Sequence, residues 1–122
     1  MAEETGLYER FARGYQKSEI IFEEGAAGSE MFIIHRGRVK IVKRTEDGQE
    51  KTLRVLEPGD FFGELALIDF SRRSASAVAE EDGTQLLVLD GPKFAYLVQQ
   101  LPEFSVAIMQ KLSQRLRDRD LQ

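Results

Sequence analysis

The chain has no cysteine and a single histidine, His35, among its 122 residues. Without cysteine there is no disulfide framework and no thiolate metal site. One histidine cannot supply a multi-histidine metal centre. No apolar run is long enough to cross a bilayer, and no charged-then-apolar leader follows Met1. An excess of basic charge is missing as well. The formal net charge is −4, which argues against a general nucleic-acid binder. Any anion must then be held by a local cluster rather than by the field of the whole chain. The expectation from these absences is a cytoplasmic protein with no metal, membrane or nucleic acid among its partners.

What is present is an ordinary globular composition, 42% hydrophobic and 31% charged. The length suits one domain, 1–122, with a real core. Residues 5–14 read as a short helix, with Leu7, Tyr8 and Phe11 on one face and Gly14 as its stop. Over residues 18–90 the character changes to short β-branched and aromatic runs between glycine-bearing turns. Asp47-Gly48 is a hairpin signal between two such runs, and Glu57-Pro58-Gly59-Asp60 a tight reversal. Alternation in Val39-Lys40-Ile41 puts one face inward and one outward. After Asp90 the period lengthens. Residues 92–100 predict a short amphipathic helix, and 103–120 a longer one striped by Phe104, Ile108, Leu112 and Leu116, joined by Val106, Ala107 and Met109. The fold expected is mainly β: an antiparallel, jelly-roll-like β-roll with a short N-terminal helix, a short helix within residues 62–76 and two C-terminal helices (92–122).

One stretch, residues 62–76, concentrates the chemistry: FGELALIDFSRRSAS. A small cyclic phosphodiester on a ribose carries one negative charge and a free 2′-hydroxyl. Arginine holds a phosphate by charge-assisted, often bidentate hydrogen bonds. Backbone N–H groups at a helix start favour an anion, a carboxylate accepts from a hydroxyl, and glycine lets a ligand approach the backbone. Gly63, Glu64, the turn 65–68, Arg73 and Ser74 supply all of these.

This stretch closely resembles the phosphate-binding cassette of cyclic-nucleotide-binding domains, those of cAMP-dependent protein kinase regulatory subunits, catabolite activator proteins and cyclic-nucleotide-gated channels. The resemblance extends through GDFFGEL at 59–65 and LPEF at 101–104, and the Glu64-to-Arg73 interval is that of the kinase-type cassette. It implies that Arg73 pairs with an exocyclic phosphate oxygen. Leu65, Ala66, Ser74 and Ala75 would offer backbone groups to the phosphate, with the Ser74 hydroxyl as a further donor. Glu64 and Gly63 would serve the ribose. Leu53 would line the base pocket, and Arg115, Arg119 and Asp120 on the last helix would cover the base. Arg72 departs from the family, which usually has proline there. It either loosens the loop or adds charge near the phosphate.

The function expected is a cyclic-nucleotide sensor, cAMP ahead of cGMP, that moves its C-terminal helices on binding and has no catalytic residues and no cofactor. Phe62, Leu65, Leu67 and Ile68 are expected to anchor the cassette to the core. A homodimer through the C-terminal helix and an unidentified effector protein complete the expectation. Two other readings stand beside it. In one, Glu64 and Arg73 form an internal salt bridge in a roll that binds nothing and serves protein interaction. The other is a metal-dependent cupin-like enzyme, disfavoured by the lone histidine. Nothing in the chain reads as a kinase-inhibiting segment, channel span or helix-turn-helix, so it either works in trans or is a sensor part of something longer.

Overall fold

In a computed structural model, the backbone is described for residues 10–120 and the side chains for 10–118. The chain falls into two units, the first ending at Asp90 and the second beginning at Gly91.

The first unit contains two four-stranded antiparallel sheets. One is ordered β1 (Ala12–Tyr15), β8 (Thr84–Leu89), β3 (Met31–Arg36), β6 (Phe61–Phe62). The other is ordered β2 (Ile20–Phe22), β7 (Ser76–Ala79), β4 (Val39–Arg44), β5 (Glu50–Leu56). Their facing sides close the core. Tyr15, Phe32, Ile34, Phe62, Leu86 and Val88 come from the first sheet, and Val39, Leu56, Ala77 and Ala79 from the second. Register follows the alternation: Val39 lies opposite Leu56 on one side and Ala79 on the other, so all three share the inward face. The β4–β5 hairpin closes as Asp47-Gly48 predicts. Gly48 takes φ +84°, and Thr45 N–H donates to the Gln49 carbonyl at 2.7 Å. The expected β-roll is thus what forms.

The N-terminal helix is corrected in part. Arg10 and Phe11 have helical backbone, but residues 12–14 do not continue it. Ala12–Tyr15 is a strand whose four residues all pair with β8, and Tyr15 is buried in the core. Stopping the helix early satisfies the outer edge of β8, whose backbone groups would otherwise lack partners. Tertiary pairing outweighs a local period of three to four. Leu7 and Tyr8 lie outside the described residues.

The second unit is a pair of helices, α2 (Gly91–Gln100) and α3 (Pro102–Asp120). Pro102 occupies the first turn of α3, where its missing N–H costs nothing. Phe94 packs edge-on to Phe104 at 5.8 Å between centroids. The predicted stripe is graded. Ile108 is buried, Phe104 and Leu112 are half-buried, and Leu116 is exposed, as are Val106 and Met109. Among the described residues no helix is long and apolar enough to cross a membrane.

Candidate functional site

The cassette opens after β6. Gly63 sits at φ +76° and caps the five-residue helix α1 (Glu64–Ile68). That φ belongs to the left-handed region, which costs an ordinary L-residue roughly 1–2 kcal/mol. A side chain at Gly63 would also place its Cβ 2.7 Å from Arg73 Nη1. Glycine is therefore required twice over, by the turn and by the arginine.

So short a helix can bury only one side. Glu64 (8% exposed) and Ala66 (2%) face in, while Leu65 and Ile68, three positions apart on one face, are about half exposed. The expectation that Leu65 and Ile68 anchor the cassette is therefore wrong. Phe62 and Ala66 do so, with Leu67 half-buried. Phe62 stacks on Phe32 at 5.1 Å, and Phe22 completes the aromatic trio beneath the site. Beyond α1 the chain reverses through Asp69, whose carboxylate accepts from the Ser71 N–H and hydroxyl.

Arg73 is the best-held side chain of the cassette. It is 7% exposed, and its guanidinium lies 4.2 Å from the Phe22 ring centroid. Nη1 donates to the Gly63 carbonyl at 3.0 Å and Nη2 to the Glu30 carbonyl at 2.9 Å, while the buried Nε has no partner. The arginine backbone is pinned as well. Its N–H donates to the Ala26 carbonyl at 2.9 Å, and its carbonyl accepts from Gly25 N–H at 2.7 Å. Burial pulls the guanidinium pKa below its ordinary value, and the carboxylates of Glu30 and Glu64 oppose that by favouring its charge. The site is thus a desolvated cation with donors to spare. Two of the five N–H groups of an arginine are engaged by carbonyls here. A buried donor left unmet costs about 1–3 kcal/mol, so an anion reaching it is favoured.

Several contributors were not predicted. Gly28 forms the other wall of the arginine slot, since a Cβ there would stand 2.5 Å from Arg73 Nη2 and 2.7 Å from Nε. Glu30 supplies a carbonyl and a charge, and Phe22 supplies the platform. The run Gly25-Ala26-Ala27-Gly28 carried the signal: four small residues together mark a close backbone approach. Arg72 also finds its place. It donates through Nη1 to the Gly25 carbonyl at 3.2 Å, tying the cassette to the same loop. Ser76, the last residue of the cassette, accepts from the N–H of the neighbouring Glu24 at 2.8 Å.

The remaining predicted residues are dispersed. Ser74 is exposed and Ala75 buried, both directly after Arg73. Leu53 is the extra residue of a bulge, because Ile41 pairs with Arg54 and Val42 with Thr52. Bulges re-aim side chains, and Leu53 is 49% exposed. Arg115 is half-buried on α3, in the second unit. Arg119 and Asp120 belong to α3 also, but their side chains lie outside the described ones. The first unit therefore holds all the residues assigned to phosphate and ribose, with Gly63, Glu64 and Arg73 brought together, but only Leu53 of the four assigned to the base.

A groove of about 790 Å³ lies elsewhere, lined by Ile20, Lys40, Val42 and Val78 on the side of the second sheet opposite the core. It shares only Ser76 with the cassette. Its Lys40 and Glu50 pair at 3.7 Å, and Glu23, Glu24 and Arg44 also line it.

Comparison with known proteins bears on the same region. The family model described as "Cyclic nucleotide-binding domain" matches residues 12–101. The cyclic AMP receptor protein of Thermus thermophilus is 39% identical over 110 residues, covering 90% of this chain and 50% of that protein. Human cGMP-dependent protein kinase 2 is 41% identical over 81 residues, covering 66% of this chain and 11% of the kinase. The crystal structure of the Thermus thermophilus catabolite activator protein superposes with a TM-score of 0.82 at 37% identity, over 98% of this chain and 56% of that one. The chain spans half the length of the Thermus receptor and about a tenth of the kinase. With a family match running from β1 to the end of α2 and an arginine slot built on glycines of the same roll, this chain belongs to the cyclic nucleotide-binding domain family.

Proposed function

We propose that this domain is a receptor for a 3′,5′-cyclic nucleotide, cAMP ahead of cGMP, with Arg73 on the phosphate, Glu64 on the ribose 2′-hydroxyl and no catalytic step. The observation that carries the reading is the Arg73 guanidinium: buried, held from two sides by carbonyls, and left with an unpartnered Nε. A monoanion with several acceptor oxygens complements that arrangement. A metal or a cation does not. Glu64 is buried at the first position of α1, next to Gly63, whose carbonyl holds the Arg73 guanidinium. The preference for cAMP draws on the wider coverage of this chain by a relative named for cyclic AMP than by one named for cGMP.

The base is assigned to Leu53 and to Arg115, Arg119 and Asp120 on α3, whose engagement would couple the ligand to the C-terminal helices. Exposed Val106, Met109 and Leu116 on α3 support a homodimer through that helix. An effector would read the helix movement.

Calorimetry with cAMP and cGMP tests the reading. Saturable binding of cAMP, and its weakening in Arg73→Ala by roughly 2–5 kcal/mol for the loss of a desolvated charge contact, are the expected results. Heat from neither nucleotide with folded wild-type protein would leave a roll that keeps the family architecture without its ligand. A thermal melt gives the same answer cheaply, since ligand at ~100 times its dissociation constant adds about 2.7 kcal/mol of stability.

A further inference from the structure

Behind Arg73 stands a second pair of charges that no assigned role uses. Glu30 immediately precedes β3 and does two things at once. Its main-chain carbonyl accepts from Arg73 Nη2 at 2.9 Å. Its side chain lies beside Arg13 of β1, Oε2 4.0 Å from Nη2. The carbonyl is set by the backbone and survives any substitution, while the carboxylate acts on Arg73 only through charge. Arg13 is itself set by the sheet, since its backbone pairs opposite Leu86 of β8. Both side chains are partly open to solvent, at 54% and 35% exposed.

We propose that Arg13 and Glu30 tune the strength with which Arg73 holds an anionic ligand: the Glu30 carboxylate competes with the ligand for the Arg73 charge, and Arg13 relieves that competition. The inference rests on the cyclic-nucleotide reading given above. A monoanionic phosphodiester docking on Arg73 meets two carboxylates nearby, Glu64 and Glu30. Glu64 has a use, accepting from the ribose hydroxyl. Glu30 has none toward the ligand, so its charge is a net repulsion toward the phosphate. In the ligand-free domain that same charge offsets part of the burial penalty of the guanidinium. Glu30 is thus a positioning residue through its carbonyl and a brake on affinity through its carboxylate. Arg13 is steadied by a hydrogen bond with the Tyr15 side chain, and toward the ligand it acts by screening Glu30.

The sign of the effect separates this from an ordinary structural role. Calorimetric titration of the full chain with cAMP and with cGMP, at low salt and at about 0.5 M salt, is done on wild type, Glu30→Gln, Arg13→Gln and the double variant. Glu30→Gln should bind the nucleotide tighter by about three- to tenfold at low salt, the order expected for one partly solvated charge at several ångströms. Arg13→Gln should bind about two- to fivefold more weakly. The double variant should match Glu30→Gln, because Arg13 has nothing left to screen. All these differences should shrink at the higher salt. A melt of each variant checks folding, and Arg13→Glu, which should weaken binding beyond Arg13→Gln, serves if Glu30→Gln fails to fold. Binding by Glu30→Gln that is equal to or weaker than wild type overturns the proposal, as does an Arg13→Gln loss that persists in the double variant. If the wild type binds neither nucleotide, the receptor reading itself falls and takes this inference with it. If the wild type binds and the signs are wrong, only this inference falls.

Discussion

Arg73 and Phe70 lie three positions apart in one cassette, yet the first is 7% exposed and the second 83%. The arginine end is held by main-chain hydrogen bonds to Ala26 and Gly25, by carbonyls of Gly63 and Glu30, and by the Phe22 ring. The helical end shows Leu65, Ile68 and Phe70 to solvent, with Phe70 in the left-handed region at φ +60°. The contrast is one of preorganisation. Under the proposed function, a phosphate group at Arg73 would meet a cation already held in place, so little ordering entropy would be spent there. At the tip, apolar surface and a strained residue remain, and a structural change that covers that surface would gain free energy.

Substitutions can break that contrast, and the largest effect should come from Gly63. Gly63→Ala combines a left-handed backbone with a Cβ 2.7 Å from Arg73 Nη1 and 3.3 Å from the Phe32 ring. It should destabilise the fold by about 1–3 kcal/mol in a denaturant melt and weaken nucleotide binding as well. Gly28→Ala comes next and separates the two quantities. The three nearest atoms its Cβ would meet all belong to the Arg73 guanidinium. Binding should fall by roughly tenfold or more as Arg73 is pushed from its slot, about 1.4 kcal/mol or more, while the melting temperature moves little. An equal loss of both would mean that the slot is structural rather than a ligand site.

At the exposed end, Phe70→Gly should be neutral or stabilising by up to about 1 kcal/mol, because it removes a strained left-handed residue that buries little. A clear loss of stability there would show that the tip is covered in solution. Arg72→Ala is the smallest effect. One exposed hydrogen bond to the Gly25 carbonyl is worth about 0.5–1.5 kcal/mol at most. It should appear as a slight loss of nucleotide affinity in calorimetry rather than of stability, since it loosens only the loop behind Arg73.

How much of this was legible beforehand depended on the range of the interaction. The hairpin at Asp47-Gly48, the alternation of β4 and the apolar periods of α2 and α3 are set by residues a few positions apart, and they formed as read. The start of β1 was misread because its partner, β8, lies about seventy residues away, and no local period announces that pairing. Leu65 and Ile68 were misjudged for a related reason. After Glu64 this five-residue helix is apolar at every position in sequence, and only its seating in the fold decides that Ala66 is hidden and Leu65 and Ile68 are not.

The sequence by itself determined the chemistry of the cassette. A glycine, a carboxylate and an arginine at positions 63, 64 and 73 match the pattern of the cyclic nucleotide-binding domain family, and the ligand proposed above follows from that resemblance. Hydrophobic alternation and turn residues likewise determined the roll, since those forces act over a few residues. What only the tertiary structure decided was the environment of Arg73. The Gly28 wall, the Glu30 carbonyl and the Phe22 platform come from segments more than forty residues upstream. Their effect is collective: removal of water from one guanidinium, which no single residue type encodes and only the packing of two sheets and a loop around it can produce.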